Sequence, residues 1–387
     1  MDKYMSSNEH LKKIKDDIPV RLLRKNRKAP DDLYLVDSVV AANIAASLKP
    51  YILSGNKTIL ETNPGFGFIT RELLDYGKLD CEYPGCLTIF NRDFFSIWKL
   101  SYQDRHDNGD RVKRLLSGIE NRDWSQEPTL AIIGTLATSN FIRHLILSLI
   151  FQFGVMTFGR CELYLVLPPP LYIQLTAGPD TGLLLYRASS VLFQIFCDYQ
   201  ILNKVPRKAF LPWDNTREFK ANATLNKFNG IDPDSMYLTR IVFKENLPVP
   251  ADRLQHIWYF VRHMMLSRRH RVIPNLEKWI PGCGTKLILA NSSSNLKKNV
   301  NIYPDLDIFT QTGQLTASQI LNMYNDFSSY PEYSESSFIA SMETALLKMD
   351  AMNDIDEPSN DEDRNDSWPD DKKSEEPKDV QNSNEER

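Results

Sequence analysis

The sequence contains few cysteines, and they do not form pairs. Five are present, an odd number, and none belongs to a Cys-x-x-Cys motif. Structural zinc sites and disulfide frameworks depend on closely spaced or paired cysteines. We therefore predict neither a disulfide nor a metal site, and this cysteine usage is typical of a reducing compartment.

Long apolar runs are also absent. The longest, residues 145–156, is shorter than the roughly 18 to 20 residues that a helix needs to cross a bilayer. We therefore predict no association with membranes. Residues 1–28 are polar and lack the apolar core of a secretory signal. Their nine Lys and Arg resemble a mitochondrial transit peptide, but four acidic residues among them do not fit that pattern.

Charge is unevenly distributed along the chain. The formal net charge is −4, but residues 350–387 hold 15 Asp and Glu against five Lys and Arg, which leaves 41 basic and 35 acidic residues in 1–349. The body is therefore mildly basic and the tail strongly acidic. A basic body is compatible with nucleic-acid binding and equally with ordinary solubility. The tail has almost no aliphatic side chains, so it cannot bury enough surface to fold alone.

Short apolar strands alternate with helical patterns through the first two thirds of the chain. Asp37 is predicted to cap a helix whose buried stripe is Val39, Val40, Ile44 and Leu48. The alternation predicts an α/β domain with a mostly parallel sheet. The predicted strands are 58–61, 86–90, 130–133, 161–167 and 237–243, and the predicted helices between them are 68–76, 93–102, 140–153 and 183–196.

Beyond the last predicted strand, the residue pattern predicts helices. Pro248 and Pro250 mark a candidate domain boundary. We therefore predict four segments, which are a flexible basic N-terminus at 1–30, an α/β domain at 31–248, a helical C-terminal domain at 249–349, and a disordered acidic tail at 350–387.

The sharpest local motif is Glu-Thr-Asn-Pro-Gly-Phe-Gly-Phe-Ile-Thr, which runs from Glu61 to Thr70 between a predicted strand and a predicted helix. Glycines there allow a ligand to approach the backbone, and the helix N-terminus supplies N–H donors. A tight turn without a ligand would also explain glycines at this point. The whole string resembles the Glu-x-x-Pro-Gly-x-Gly-x-[Ile/Leu]-Thr signature that rRNA adenine dimethyltransferases use around S-adenosylmethionine.

The resemblance implies a Rossmann-like class I methyltransferase fold with a smaller α-helical C-terminal domain. The segment from Leu35 to Asp37 matches the start of that family's first helix. By this resemblance Asn91 stands where the family has a glutamate that binds the ribose hydroxyls, so S-adenosylmethionine binding is expected to be weak. Asp123 stands where an acidic residue meets the adenine amino group, although a solvated loop carboxylate explains it equally well. The cofactor-binding candidates are Glu61, Asn63, Gly65, Gly67, Asn91 and Asp123.

The catalytic position of the family is altered. Active members carry Asn-Leu-Pro-Tyr or a close variant there, and this chain has Gly134, Thr135, Leu136, Ala137 and Thr138. The family's carboxamide and Pro carbonyl accept hydrogen bonds from the target amine, and its aromatic ring stacks on the flipped base. Only the leucine is retained, so the resemblance implies that adenine methylation is lost and that no catalytic residue remains.

Further matches resemble the mitochondrial transcription factor B branch of this family. They follow in order along the chain and together cover about residues 32 to 330. They comprise a Phe-Gly-Arg strand start at Phe158, Gly159 and Arg160, then 177–179, Arg262 with His263, Ser267 to Arg269, Val272, Ile273 and Leu276, and the Asn-Ile-Tyr-Pro string at 301–304.

Two clusters of cations could contact nucleic acid. The candidate residues of the first are Arg262, Arg268, Arg269 and Arg271, with His263 and His270 among them. The second comprises Lys204, Arg207 and Lys208, followed by the rings of Phe210 and Trp213, which could stack on unpaired bases. A solvated helix face and a pair of core aromatics are the alternative interpretations.

The resemblance predicts a transcription initiation factor of the mitochondrial matrix. It would bind the single-subunit mitochondrial RNA polymerase and promoter DNA, including a melted single strand, and would assist promoter melting. Two alternatives remain open, an S-adenosylmethionine-dependent rRNA adenine dimethyltransferase and a non-catalytic rRNA-binding assembly factor. Asn91 and the Thr135–Thr138 segment argue against the enzyme.

Overall fold

The computed structural model describes residues 18–19, 22, 32–52, 57–75, 88–91, 93–182, 185–212, 231–294 and 306–355, and the side chains of 289–294 and 350–355 are not considered. Contacts divide the chain into two compact units, Met1–Met342 and Glu343–Arg387. Most of the predicted N-terminal segment and of the acidic tail lies outside the described residues. None of the described helices combines the length and apolar character needed to cross a membrane.

A five-stranded sheet forms the centre of the first unit, in the order β2-β3-β4-β7-β5. A small antiparallel pair, β1 with β6, is separate from it. The strands are β1 (Tyr34–Leu35), β2 (Thr58–Glu61), β3 (Leu130–Thr135), β4 (Cys161–Leu167), β5 (Cys197–Pro206), β6 (Phe210–Leu211) and β7 (Ser235–Phe243).

Helices connect and cover these strands, and helices alone follow β7 in the described residues. The helices are α1 (Ser38–Ile52), α2 (Phe68–Asp75), α3 (Ile97–Asp107), α4 (Arg111–Leu115), α5 (Asn140–Ile150), α6 (Pro169–Thr176), α7 (Ala188–Phe196), α8 (Leu254–Leu266), α9 (Val272–Glu277), α10 (Cys283–Ser294), α11 (Ala317–Ser328) and α12 (Ser337–Ile355).

The sheet is mixed. β2, β3 and β4 pair in parallel, whereas β7 is antiparallel to both of its neighbours, β4 and β5. Every residue of β3 and β4 is buried, as expected for strands covered by helices on both faces. The predicted α/β class with a Rossmann-like sheet is confirmed, and the antiparallel β7 refines the prediction of a mostly parallel sheet.

Two hydrophobic layers cover the sheet. On one face, Met236 and Leu238 of β7 join the buried side chains of α1 and α2 in a single cluster. Tyr237 lies between them in sequence and therefore points to the opposite face. There its ring stacks on Tyr172 of α6, with 5.3 Å between the centroids.

Helix α1 follows its predicted start. The Asp37 carboxylate accepts hydrogen bonds from the N–H groups of Val39 and Val40, at 3.0 and 3.2 Å, which confirms the cap. Ile44 and Leu48 are fully buried and Val40 nearly so, as predicted. Val39 is 68% exposed, so its assignment to the buried stripe was wrong. Successive helical residues are about 100° apart, and Val40 takes the inward position.

The strand predicted at 86–90 is not a strand where it is described. Residues 88–91 are irregular and exposed, and 86–87 lie outside the described residues. The sequence prediction also missed helices α4 and α6 and strands β1, β5 and β6. β5 lies at an edge of the sheet and has a register shift between Ile201 and Asn203, so its sequence lacks a regular alternation of apolar and polar residues.

A buried histidine lies in α5. His144 is 8% exposed, its Nε2 lies 3.3 Å from Ser148 Oγ, and its ring meets Phe153 edge-on. Burial lowers the pKa of His144 to about 4, because the charged form would lose its hydration. The folded protein therefore keeps this imidazole neutral at physiological pH.

His144 should make stability depend on pH. Between its unfolded pKa of 6.5 and its folded pKa of about 4, the unfolded chain binds more protons, so stability falls as pH falls. Urea unfolding measures this effect. When the pH is lowered from 7.5 to 5, the free energy of unfolding of the natural protein should fall by about 2 kcal/mol more than that of His144→Gln, because glutamine does not titrate. An equal loss in both proteins would contradict this assignment.

Candidate cofactor site and nucleic-acid surface

The glycine turn connects β2 to α2. Asn63, Gly65 and Gly67 have positive φ angles of 50°, 59° and 72°, and the Gly67 N–H donates to the Pro64 carbonyl at 2.9 Å. A Cβ atom at Gly65 would lie 3.2 Å from Cδ1 of Tyr34. Glycine is required here both by the left-handed backbone and by the tyrosine ring packed on it.

Glu61 ends β2 beneath this turn. Its carboxylate accepts a hydrogen bond of 2.6 Å from Thr70 Oγ1. Burial raises the pKa of Glu61 above its ordinary value, although the hydrogen bond from Thr70 opposes the shift. Such a carboxylate favours a cationic ligand group, because a neighbouring positive charge stabilises its ionised form.

Two residues that sequence reasoning missed hold the turn from outside. Asn63 Nδ2 donates to Asp32 Oδ1 at 2.9 Å, and the Tyr34 hydroxyl donates to Asp32 Oδ2 at 3.5 Å. Their position in the sequence, directly before the family match that begins at Leu35, could have indicated that Asp32 and Tyr34 belong to the site. These contacts fix the Asn63 side chain on the protein itself.

Gly134 permits the close approach of three elements. A Cβ atom on it would lie 2.9 Å from Thr62 Cγ2 and 3.0 Å from Cζ of Phe95. The Thr62 N–H donates to the Ile133 carbonyl at 2.8 Å. Thr62 Oγ1 is buried without a hydrogen-bond partner. The glycine turn is therefore packed against the carboxyl end of β3, where the altered catalytic segment begins.

The four residues that follow Gly134 in that segment, Thr135–Thr138, have different surroundings. Thr135 is the last residue of β3 and is buried, and Leu136 is buried with its N–H donating to the Val166 carbonyl at 3.1 Å. Ala137 is half-buried and Thr138 is exposed. No carboxamide or aromatic side chain belongs to this segment, so it has no group that could orient or stack an adenine as active members do.

The remaining cofactor candidates lie on other segments of the chain. Asn91 is exposed in an irregular segment. The residue before Asp123, Arg122, donates its N–H to the Phe158 carbonyl at 3.1 Å, and Phe158 precedes β4. Asp123 therefore lies at the amino ends of the parallel strands, and the glycine turn lies at their carboxyl ends. The structure does not bring Asp123 together with Glu61.

The side chains fit one end of S-adenosylmethionine. The half-buried Glu61 carboxylate could accept from its ammonium group, and the left-handed backbone at Gly67 and the unpartnered Thr62 hydroxyl lie on the same turn. Of the two candidates for its ribose and adenine ends, Asn91 carries no charge and Asp123 lies at the opposite edge of the sheet. Among the described residues, no group of His, Cys, Asp and Glu could hold a metal ion.

Arg160 of the Phe-Gly-Arg motif has a structural role. Its guanidinium donates to the carbonyls of Trp124 and Gln126, at 2.8 and 2.7 Å, and to that of Phe243 at 3.4 Å. The preceding Gly159 has a φ of 113°, and a Cβ there would lie 2.8 Å from the Arg122 carbonyl oxygen. The motif ties the loop before β3 to the end of β7.

The first cation cluster separates into packed and exposed residues. The Arg262 guanidinium lies 5.4 Å from the centroid of the Trp258 ring. Arg268 Nη1 donates to the Tyr186 carbonyl at 3.3 Å. Arg269 and Arg271 are exposed, and the Arg271 guanidinium lies 4.9 Å from the centroid of the Phe309 ring. Arg269 and Arg271 are therefore the members best placed to meet a phosphate.

The second cation cluster is largely structural. Arg207 donates to the carbonyls of Phe210 and Pro212, at 2.8 and 3.0 Å. Lys204 and Lys208 are exposed, and Lys204 lies over the Tyr237 ring. Phe210 is fully buried in the core, so its interpretation as a base-stacking ring was wrong. Trp213 and the 301–304 string lie outside the described residues.

The chain is similar to known proteins over most of its length. It is 36% identical over 396 residues to mitochondrial dimethyladenosine transferase 2 of Drosophila melanogaster, which covers 91% of this chain and 88% of that protein. It is 27% identical over 198 residues to ribosomal RNA small subunit methyltransferase A of Moorella thermoacetica, which covers 48% of this chain and 62% of that protein. The crystal structure of 23S rRNA methyltransferase ErmE matches 76% of this chain and 100% of that chain, with a TM-score of 0.41 and 14% identity. No protein-family model matches the chain.

The glycine turn at the end of β2 and the similarity to the fly protein define a member of the rRNA adenine dimethyltransferase-like superfamily. Within it, the identity and coverage shared with the fly protein show that the chain belongs to the mitochondrial dimethyladenosine transferase 2 family. The branch that the Phe-Gly-Arg and Arg-Arg motifs indicated is thereby confirmed. The relatives of this family are named as mitochondrial, which supports the predicted mitochondrial location.

Gly134 provides a test of how this site is packed. Gly134→Ala places a methyl group against Thr62 and Phe95 and should lower the free energy of unfolding by about 1–3 kcal/mol, the usual cost of overpacking. Gly178→Ala is the matched control, because its Cβ would have no neighbour within 4 Å, and urea unfolding should show a change under about 0.5 kcal/mol. Equal effects of the two substitutions would contradict the described packing.

Proposed function

We propose that this chain is a transcription initiation factor of the mitochondrial matrix that no longer transfers methyl groups. It joins the single-subunit mitochondrial RNA polymerase, binds promoter DNA and assists promoter melting. The observation that carries the proposal is the catalytic segment at the carboxyl end of β3, where buried Thr135 and exposed Thr138 replace the residues that orient and stack the adenine. A methyltransferase scaffold without these groups retains its binding surfaces.

Exposed cations supply the second argument. Arg269 and Arg271 project from the segment between α8 and α9, where a DNA backbone would meet them without displacing core contacts. Each arginine that neutralises a phosphate releases condensed counterions, which makes binding favourable and dependent on salt. The proposed polymerase partner rests on the resemblance to the mitochondrial transcription factor B branch and on the family assignment.

Residual cofactor binding belongs to the same proposal. Glu61 and the turn at Gly65 and Gly67 would hold the amino-acid end of S-adenosylmethionine, which when bound supplies an activated methyl group. Asn91 has no charge, and charge-assisted hydrogen bonds are roughly twice as strong as neutral ones. We therefore propose weak binding at most.

An rRNA adenine dimethyltransferase is the second candidate. The fly relative is named a dimethyladenosine transferase and the Moorella relative a ribosomal RNA small subunit methyltransferase. The Glu61 carboxylate at the end of β2, next to the glycine turn, is a feature that favours retained cofactor binding. The activity also requires groups that hold the target amine, and the Thr135–Thr138 segment does not supply them. A non-catalytic factor that binds rRNA would use the same exposed cations with a different nucleic acid.

Arg269 and Arg268 should behave differently when each is changed to Ala. Arg269→Ala should weaken promoter binding and reduce the slope of log affinity against log salt by about 0.9, because one fewer phosphate is neutralised, with an unchanged Tm. Arg268→Ala removes the hydrogen bond to Tyr186 and should lower stability by about 1–3 kcal/mol. Fluorescence anisotropy on duplex promoter DNA and thermal unfolding measure the two effects.

The matched control is Arg114→Ala. Arg114 is an exposed arginine of α4 that pairs with Asp110, the residue before the helix. The DNA affinity and salt slope of this variant should equal those of the natural protein. If Arg269→Ala also leaves the slope unchanged, the exposed cations between α8 and α9 do not contact DNA and the proposed surface is wrong.

A further inference from the structure

An exposed aromatic ring lies beside the basic segment, which is the stretch 267–271 between α8 and α9. The sequence motifs did not indicate this ring. Phe309 is 59% exposed, and its neighbour Ile308 is 51% exposed. The guanidinium of Arg271 lies 4.9 Å from the centroid of the Phe309 ring. Large exposed apolar side chains with a cation at the ring commonly mark a binding surface.

The loop that carries this ring is held in one conformation. The Asp307 carboxylate accepts hydrogen bonds from the N–H groups of Phe309 and Thr310, at 2.8 and 2.7 Å. Next to it, Arg271 forms an antiparallel bridge with Gln311. Because these hydrogen bonds and the bridge order residues 307–311, a ligand that binds Phe309 would pay little ordering entropy.

Two further backbone hydrogen bonds join the loop to the basic segment and the start of α9. The N–H of Val272 donates to the Thr310 carbonyl at 2.9 Å, and the N–H of Thr312 donates to the His270 carbonyl at 3.0 Å. The loop and the segment therefore form one surface, in which the ring of Phe309 and the exposed side chains of Arg269 and Arg271 share a rigid backbone frame.

Charge on this surface is mainly positive. Asp307 is a carboxylate of the same loop, and hydrogen bonds from Thr310 and from the Phe309 N–H, with the charge of Arg271, hold its pKa below its ordinary value. It therefore stays ionised and offsets one cation. Arg269 and Arg271 still leave a positive balance among these three side chains, which matches a phosphate backbone and not a basic or neutral apolar partner.

We propose that Phe309 is a stacking residue for an unpaired base of single-stranded DNA whose phosphates lie along Arg269 and Arg271. The inference rests on the proposed function and assigns a stacking residue to it. In a duplex the base faces are covered by neighbouring bases, so an exposed ring offers nothing to paired DNA. In a single strand every base has a free face, and a phenyl ring with adjoining cations binds it irrespective of sequence.

The test compares single-stranded and duplex DNA with the full chain. Labelled oligo(dT) and a duplex of equal length are titrated by fluorescence anisotropy at one low salt concentration. Phe309→Ala and Phe309→Leu should weaken binding to oligo(dT) by about 5- to 150-fold, the range measured for loss of a stacked aromatic. Binding to the duplex should change less than about two-fold. Phe309→Tyr should restore the affinity for oligo(dT), because it retains the ring.

Arg269→Ala separates this inference from the proposed function. It should weaken both DNAs, because it removes a phosphate contact common to them. If Arg269→Ala weakens both and Phe309→Ala changes neither, stacking is wrong and the proposed function stands. If Arg269→Ala also changes neither, the stacking role and the proposed DNA-binding surface are both wrong.

Two other results would overturn the stacking role. Full affinity of Phe309→Leu for oligo(dT) would show that an apolar side chain suffices without a ring. Unchanged DNA binding by Phe309→Ala with loss of binding to the purified mitochondrial polymerase would assign the ring to a protein contact. Circular dichroism of each variant checks that the fold is intact, and Phe309→Tyr provides a folded reference if Phe309→Ala is unstable.

Discussion

A single buried carboxylate determines how the strands of this protein are aligned. Glu162 lies on the central strand β4 with no exposed surface, and its carboxylate pairs with Lys57 before β2 and with Arg240 on β7. Burial alone would raise the pKa of Glu162, but these two cations hold it below its ordinary value. Removing the carboxylate would leave two cations with little water around them, which is strongly destabilising.

The position of the candidate sites follows from this alignment. Glu162 pairs across the sheet with Ala131 of β3 and Val242 of β7. The ion cluster therefore lies near the amino ends of the parallel strands β2, β3 and β4 and near the carboxyl end of the antiparallel β7. The carboxyl ends of the parallel strands then meet at the opposite edge, where Glu61 and Thr135 lie. Lys57 and Arg240 also contribute to the basic character of the body without being available to a phosphate.

Local sequence was sufficient for the central elements of the fold. β3 and β4 are short apolar runs buried on both faces, and Asp37 caps α1 through its own carboxylate, so neighbouring residues determine both outcomes. β5 depends instead on pairing with β7, which is far away in the chain, and its irregular register conceals the alternation. The exposure of Val39 depends on which face of α1 the sheet covers, and that is a tertiary effect.

The candidate sites were less predictable, because they depend on where each side chain ends. Arg160 and Arg207 are basic in sequence, but both use their guanidinium groups on backbone carbonyls. Phe210 and Phe309 are both phenylalanines near cations, and packing buries the first and exposes the second. Asp123 follows the family motif in order, but the strand direction places it at the other edge of the sheet. Sequence order indicates candidates, and the direction of each strand decides which of them meet.

The protein keeps the glycine turn of a methyltransferase fold, and its Thr135–Thr138 segment has no carboxamide or aromatic side chain. We propose that it acts on promoter DNA. Run-off transcription by the mitochondrial RNA polymerase, with and without the full-length protein, tests this most directly when a duplex promoter is compared with the same promoter premelted around the start site. We expect that transcription from the duplex depends on the protein and that transcription from the premelted template depends on it far less. No stimulation on the duplex, or equal stimulation of both templates, would contradict the proposed role.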